Sequence, residues 1–196
     1  MLFHNFLEAL LASKVKVKIL RLISRLPEKT WTSRELAKFI GVSNMSVLRS
    51  LVDLEGMNLI DISRAGNSYL IKVKRSGFIF SSVLKPLFDA ERFAFDGLVK
   101  DLKEMVPPRY VAFYALFGSV AGKTESQNSD IDVLIVTEKP GAIEKIITEK
   151  QSLISQKYGN RLSPYIMTVV EFRKKQGVPF LKEAKKNHVV LAGRWI

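Results

Sequence analysis

Two apolar runs joined by a polar loop constrain the fold of this chain more than any other feature. An apolar run over residues 110–117 leads into Gly118-Ser119, and a second run over residues 131–137 follows Asp130 and contains Asp132. Both runs have the length and composition of buried strands. Because successive side chains of a strand alternate between its two faces, Asp130 and Asp132 are predicted to share one face. Two carboxylates so placed suit Mg²⁺ (or Mn²⁺), which prefers oxygen ligands.

The residues that join the two strands predict a phosphate site beside these carboxylates. Gly118 has no Cβ, so a phosphate can approach the backbone closely. Ser119 is predicted to cap a short helix whose amides face an anion. Lys123 and Ser129 complete the predicted nucleotide-binding set. A metal ion on Asp130 and Asp132 would then bridge the oxygens of a nucleoside triphosphate.

This arrangement resembles the polymerase-beta-like nucleotidyltransferase superfamily, especially its minimal nucleotidyltransferase branch. The resemblance covers roughly residues 110–195, with nine residues between Ser119 and Ser129. It implies that Asp130 and Asp132 are catalytic metal ligands and that a nucleotidyl group passes from a nucleoside triphosphate to a hydroxyl acceptor. The branch includes antitoxins that modify a partner toxin, so the resemblance also allows a protein acceptor.

The sequence departs from the family pattern in two places. The family often has Ala-Arg-Gly after Gly-Ser-x, where this sequence has Ala121-Gly122-Lys123. Lys123 is the candidate to replace that Arg as the cation facing the phosphate, with a different geometry. Active members carry a third carboxylate on a later strand, but no Asp or Glu occurs between Glu149 and Glu171. Glu171 is expected to open the following helix instead. Two functions therefore stay open: a nucleotidyltransferase, and a DNA-binding regulator whose second domain only binds nucleotide.

The first part of the chain has the element order of a winged helix. Thr32 and Glu35 fit a capping box at the start of a helix that ends at Gly41, and Ser43 is suited to cap the next helix. Gly66 and its neighbours at 64–68 provide turn residues between two strand-like runs. The predicted elements are helices over 3–12, 14–26, 32–41 and 43–55 and strands over 59–62 and 69–73. The apolar positions of the helices, among them Leu7, Leu11, Leu26, Phe39 and Val52, are expected to face the core.

Charge and the predicted recognition helix point to duplex DNA as a partner. Residues 1–85 carry a net charge of +8 out of +12 for the chain, and positive charge favours polyanions through counterion release. Recognition helices place their early residues in the major groove, where Asn and Arg side chains can read adenine and guanine. Lysines 14, 16 and 18 are expected to hold the DNA backbone, and Ser50 to point outward. The predicted DNA-binding residues are Asn44, Ser46, Arg49 and Arg64.

Together these features resemble a prokaryotic two-domain family with an N-terminal winged helix and a C-terminal minimal nucleotidyltransferase domain. The expected fold class is α+β: a winged helix of three helices plus a β-hairpin over residues 1–76, a helical connector over 77–108, and a nucleotidyltransferase domain with a mixed sheet over 109–196. The connector is expected to be helical over 78–105 with a kink at Pro86, and the last helix of the second domain is expected over 171–186. A winged helix used only for protein docking or dimerisation is the alternative for the first domain, and a homodimer is left open.

The sequence also indicates the compartment. The chain has no cysteine, which excludes disulfides and zinc–thiolate sites and fits a reducing environment. Its apolar start contains Glu8 and lacks a basic segment, unlike a signal peptide. No uncharged run approaches the ~18 residues of a membrane span. A cytoplasmic protein with no membrane partner is expected.

Overall fold

The computed structural model describes residues 4–66 and 68–196. The chain divides into two compact units, Met1–Phe93 and Ala94–Ile196. Each unit has its own hydrophobic core. The fold class is α+β, as predicted. In the described part of the chain, none of the helices combines the length and the apolar character needed to cross a membrane.

The first unit is a winged helix. Its three-stranded antiparallel sheet has the order β1-β3-β2. Leu10, Ile19, Leu36, Val47 and Leu54, one or more from each helix, are buried in one core. In chain order the elements are α1 (Phe6–Leu11), α2 (Lys14–Arg25), β1 (Trp31–Thr32), α3 (Ser33–Ile40), α4 (Asn44–Gly56), β2 (Ile60–Ala65) and β3 (Ser68–Val73).

The predicted caps fix where the helix-turn-helix begins and ends. The Thr32 hydroxyl accepts from the backbone N–H of Glu35, and the Glu35 carboxylate accepts from the N–H of Thr32 at 2.8 Å. Gly41 ends α3 with φ of 68°, a left-handed conformation that glycine adopts at little cost. The Ser43 hydroxyl accepts from the N–H of Ser46 at 3.2 Å and caps α4. These three predictions are confirmed.

Several sequence-based boundaries in this unit were wrong. The strands of the hairpin extend to Ala65 and from Ser68, so the turn is shorter than the predicted 64–68; Asn67 lies outside the described residues. The helix predicted over 3–12 is shorter, and its Phe3 also lies outside them. Apolar residues predicted to face the core are instead exposed: Leu7, Leu11, Leu26, Phe39 and Val52.

The segment predicted as a helical connector takes part in both cores. A π-helical turn, Phe80–Leu84, precedes α5 (Lys85–Met105). Residues 78 and 79 are also helical, so the helix is continuous through this turn and Pro86 lies inside it. The π-helical turn lies just before Pro86, where a kink was expected, because proline has no N–H to donate to the carbonyl four residues earlier. Phe88 is buried in the core of the first unit, whereas Leu98 and Leu102 are buried in that of the second.

The second unit is built on a four-stranded mixed sheet of order β6-β5-β4-β7. β5 and β6 are parallel, and the other two pairs are antiparallel. The helix predicted over 171–186 is two helices, since Gly177 and Pro179 interrupt it. After a short 3₁₀ turn at Pro108–Tyr110 the elements are β4 (Phe113–Phe117), α6 (Gly118–Gly122), β5 (Ile131–Val136), α7 (Pro140–Tyr158), β6 (Leu162–Met167), α8 (Val169–Lys174), α9 (Pro179–Lys186) and β7 (His188–Gly193).

Both faces of this sheet are covered, which explains why its central strands are continuous apolar runs rather than alternating ones. On one face, Leu116 and Val133 are buried in a core with residues of α5 and α7. On the other, Phe117 and Leu134 are buried in a core with Leu181 and other residues of α8 and α9. Alternation along β5 puts Asp132 on the same face as Leu134.

Candidate active site

Asp132 lies at the start of β5, between two neighbouring strands. It stands opposite Phe117 of β4 and opposite Ser163 of β6. Paired residues in a sheet project to the same face, so these three side chains lie in one row. Asp130 comes immediately before β5 and is exposed. The register thus places a serine, not a carboxylate, beside Asp132 on β6.

Gly118 is in direct contact with this carboxylate. It adopts φ of +75°, and a Cβ at this position would lie 2.6 Å from Oδ2 of Asp132. Since real Cβ atoms do not approach oxygen that closely, a side chain at 118 would displace the aspartate. The predicted phosphate turn and the predicted metal ligand therefore form one local structure.

The other predicted nucleotide-binding residues have different local roles. α6 begins at Gly118, and its N-cap, Phe117, makes no side-chain cap bond. Ser119 is the second residue of α6, so the prediction that it caps this helix was wrong. Lys123 ends α6 with φ of 58° and is exposed. Ser129 folds the loop before Asp130: its hydroxyl accepts from the N–H of Ser126 at 2.8 Å.

The two aspartates lie close to other negative charges and are not paired with a basic side chain in the described residues. Partial burial raises the pKa of the Asp132 carboxyl; the Ser163 hydroxyl opposes the shift, and the charges of Asp130 and Glu183 add to it. Within residues 4–66 and 68–196, neither Asp130 nor Asp132 forms an ion pair. Two aspartates thus stand without a cationic partner in a chain of net charge +12.

Glu183 is the residue near this site that sequence reasoning missed. It lies on α9, is exposed, and is close enough for its charge to act on Asp132. No spacing rule links a carboxylate on a late helix to a strand 51 positions earlier. Glu171, by contrast, lies in the first turn of α8, as expected, where it also closes a capping box with Thr168. In the described residues, no three His, Asp or Glu side chains are close enough together to hold a metal ion, so a cation would need phosphate or water oxygens besides Asp130 and Asp132.

The predicted DNA-binding residues differ in how exposed their side chains are. Arg49 on α4 and Arg64 on β2 are exposed. Asn44 is half-buried, with a buried Oδ1 that has no hydrogen-bond partner among the described residues. The Ser46 hydroxyl lies 2.8 Å from that of Ser43. Ser50, expected to point outward, is buried and donates to the carbonyl of Ser46.

Lys16 was wrongly predicted to hold the DNA backbone. Its side chain is only 11% exposed and pairs with Asp53, with 2.6 Å between Nζ and Oδ2. Its ammonium also donates to the carbonyl of Ala9 at 3.2 Å. Lys16 therefore joins α1, α2 and α4 within the winged helix.

Comparison with known proteins finds one family match, which lies in the second unit. No curated protein matches the chain. Solved structures similar to parts of it include NolR from Sinorhizobium fredii (23% identity, 45% of this chain and 80% of that chain, TM-score 0.36). Others are reduced HlyU from Vibrio cholerae (17%, 45% and 83%, TM-score 0.35) and a toxin–antitoxin with AMP-PNP (16%, 51% and 73%, TM-score 0.33). Residues 96–191, which include Gly118, Asp130 and Asp132, match the model of the nucleotidyltransferase domain family.

Proposed function

We propose that the second unit binds a nucleoside triphosphate together with Mg²⁺ (or Mn²⁺) and transfers its nucleotidyl group to a hydroxyl acceptor. The observation that carries this proposal is the close approach of Gly118 to Asp132, just after Asp130. Among residues 4–66 and 68–196, neither carboxylate has a cationic partner. The match of residues 96–191 to the nucleotidyltransferase family supports it. An acceptor on a protein, including a toxin partner, and one on a nucleic acid are both within this reaction class.

The roles of the site residues follow from their positions. Asp130 and Asp132 would hold the metal ion, which on binding would neutralise charge on the phosphates and on the departing pyrophosphate. Gly118 leaves the turn after β4 open to a phosphate oxygen. Lys123, exposed at the end of α6, would add a positive charge beside the triphosphate. Ser129 keeps the loop in the conformation that presents Asp130.

The acceptor proton has no obvious recipient on β6, because Ser163 stands beside Asp132. General-base catalysis typically contributes about 10²–10⁴-fold in rate. Positioning and electrostatics provide much of phosphoryl-transfer catalysis without it. We therefore expect slow transfer by the protein alone and faster transfer where a partner supplies a base.

Titration calorimetry on the full chain tests the binding step. Triphosphate is expected to bind when Mg²⁺ is present and not to bind when the metal is removed with a chelator. Without the cation, the negative phosphates would be repelled by the two negative carboxylates. Binding of equal strength with and without metal, or no binding in either condition, would contradict the proposed site.

A second function, recognition of duplex DNA by the first unit, is supported by its winged-helix fold and by the exposed Arg49 and Arg64. Asn44 and Ser46, in the first turn of α4, would lie beside Arg49 in the major groove. This function is compatible with transfer by the second unit. It would make the protein a cytoplasmic transcriptional regulator, with nucleotide as ligand or substrate.

Arg49→Ala is expected to weaken specific duplex binding by about 1–3 kcal/mol if Arg49 reads a guanine. Arg49→Lys is the matched control: it keeps the charge but loses the bidentate fork, so non-specific binding should persist while specificity falls. Anisotropy titrations with selected and scrambled duplexes measure both. Absence of duplex binding by the full chain even at low salt would remove the DNA-binding function.

A further inference from the structure

The excess positive charge of the second unit is concentrated on α8, α9 and the loop that joins them. Residues 169–186 carry six Lys and Arg side chains against two Glu, a net charge of +4. In the described part of the chain, none of the six forms an ion pair. We call the following exposed residues the α8–α9 basic surface: Arg173, Lys174, Lys182, Lys185 and Lys186.

An aromatic pair lies beside this surface. The rings of Tyr165 and Phe180 are stacked, with centroids 5.0 Å apart and an interplanar angle of 25°. Phe117 contacts Tyr165 edge-on at 5.4 Å. Tyr165 remains 38% exposed. A planar group could therefore stack on its open part.

The aromatic pair and the basic surface are both adjacent to the candidate active site. Tyr165 is two residues beyond Ser163 on β6, so it projects to the same face as Asp132. Phe180 of α9 stacks on Tyr165, so α9 packs over the same face of the sheet. Lys182 and Lys186 are four residues apart and share one face of α9.

We propose that the acceptor of this site is the end of a single-stranded nucleic acid, held by the α8–α9 basic surface with a base stacked on Tyr165. This inference rests on the proposed nucleotidyl transfer. Proteins that bind single-stranded nucleic acid without sequence preference combine a positively charged groove, which holds the backbone, with aromatic side chains on which the bases stack. A triphosphate with its own metal ion does not require five further cations, and a peptide acceptor would not require an aromatic platform with a basic rim.

The reaction balances without a further reactant. The terminal hydroxyl of the strand forms a P–O bond to the α-phosphorus, and the bond from that phosphorus to the pyrophosphate oxygen breaks. The hydroxyl proton passes to water. The strand gains one nucleotide and pyrophosphate leaves with the bridging oxygen.

Anisotropy with labelled single-stranded RNA and DNA on the full chain tests this proposal, with excess unlabelled duplex DNA to occupy the winged helix. Lys182→Gln/Lys186→Gln is expected to weaken binding roughly tenfold and to reduce the salt slope by about 1.4, since each phosphate contact on a single strand contributes about 0.7. Lys103→Gln/Lys145→Gln is the matched control, because both residues are exposed and have no ion-pair partner in the described chain. It should leave binding unchanged.

A second pair of variants tests the stacking. Tyr165→Ala is expected to weaken oligonucleotide binding roughly 5- to 150-fold, while Tyr165→Phe retains it. Equal losses for the two lysine pairs, or no loss for Tyr165→Ala, would overturn the proposal.

Calorimetry with Mg²⁺ and triphosphate distinguishes failure of the acceptor proposal from failure of the proposed function. Lys182→Gln/Lys186→Gln should bind triphosphate like the unmodified protein. If that variant loses triphosphate binding but not oligonucleotide binding, the cations serve the triphosphate and the acceptor assignment fails.

Discussion

Asp130→Asn/Asp132→Asn is expected to abolish Mg²⁺-dependent triphosphate binding, with at least a roughly 100-fold loss of affinity, or about 2.7 kcal/mol. The substitutions preserve side-chain size but remove both negative charges that would hold the cation. Calorimetry with Mg²⁺ and triphosphate measures the loss. Glu144→Gln/Glu149→Gln, an exposed pair on α7, makes the same charge change elsewhere and should bind normally. Equal binding by the aspartate variant would remove the site from these residues.

Unfolding is not expected to account for this loss. The pKa of Asp132 is raised, chiefly by partial burial, so its ionisation costs the folded state stability. That cost is present when the pH is above the folded pKa, and it disappears as the pH falls below the unfolded value. Near neutral pH the double variant should therefore melt at the same temperature as the unmodified protein or higher. A lower melting temperature at neutral pH would contradict this electrostatic description.

Gly118→Ala is expected to destabilise the second unit by about 2 kcal/mol or more and to prevent triphosphate binding. A left-handed conformation costs a residue with a Cβ about 1–2 kcal/mol, and the new Cβ would lie 2.6 Å from Oδ2 of Asp132. Gly159→Ala is a close control, because Gly159 has φ of +76° but no atom within 4 Å of its would-be Cβ. The difference between the two variants in urea unfolding isolates the contact with Asp132. Equal stability of the two, with triphosphate binding intact in both, would show that this contact does not matter.

The fold followed from the sequence where local chemistry decides structure. The capping pairs Thr32–Glu35 and Thr168–Glu171 each satisfy backbone groups within four residues, so they can be recognised without tertiary information. β1 was missed because a two-residue strand has no period of its own and exists only through its pairing with β3. The helix expected over 171–186 ends early because Gly177 and Pro179 outweigh the charged pattern around them.

The site was only partly predictable, because some of its residues come together only through tertiary packing. Asp130, Asp132 and Gly118 could be selected because they lie in one strand–loop–strand segment. Glu183 affects only the charge environment of Asp132, and it does so because α9 packs on that face of the sheet, which no sequence spacing indicates. Lys16 looked like a solvent-facing lysine, yet its partner Asp53 lies two helices later. Tertiary contacts of this kind decide whether a charged residue is free to bind a ligand.

Transfer of label from an α-labelled nucleoside triphosphate by the purified full chain is the most direct test of the central claim. With Mg²⁺ and single-stranded nucleic acid or candidate protein acceptors, slow label transfer is expected, and Asp132→Asn should abolish it. Rapid transfer that Asp132→Asn leaves undiminished would show that the active site lies elsewhere. Triphosphate binding without transfer to any acceptor would contradict the enzymatic assignment and leave a nucleotide-binding regulator.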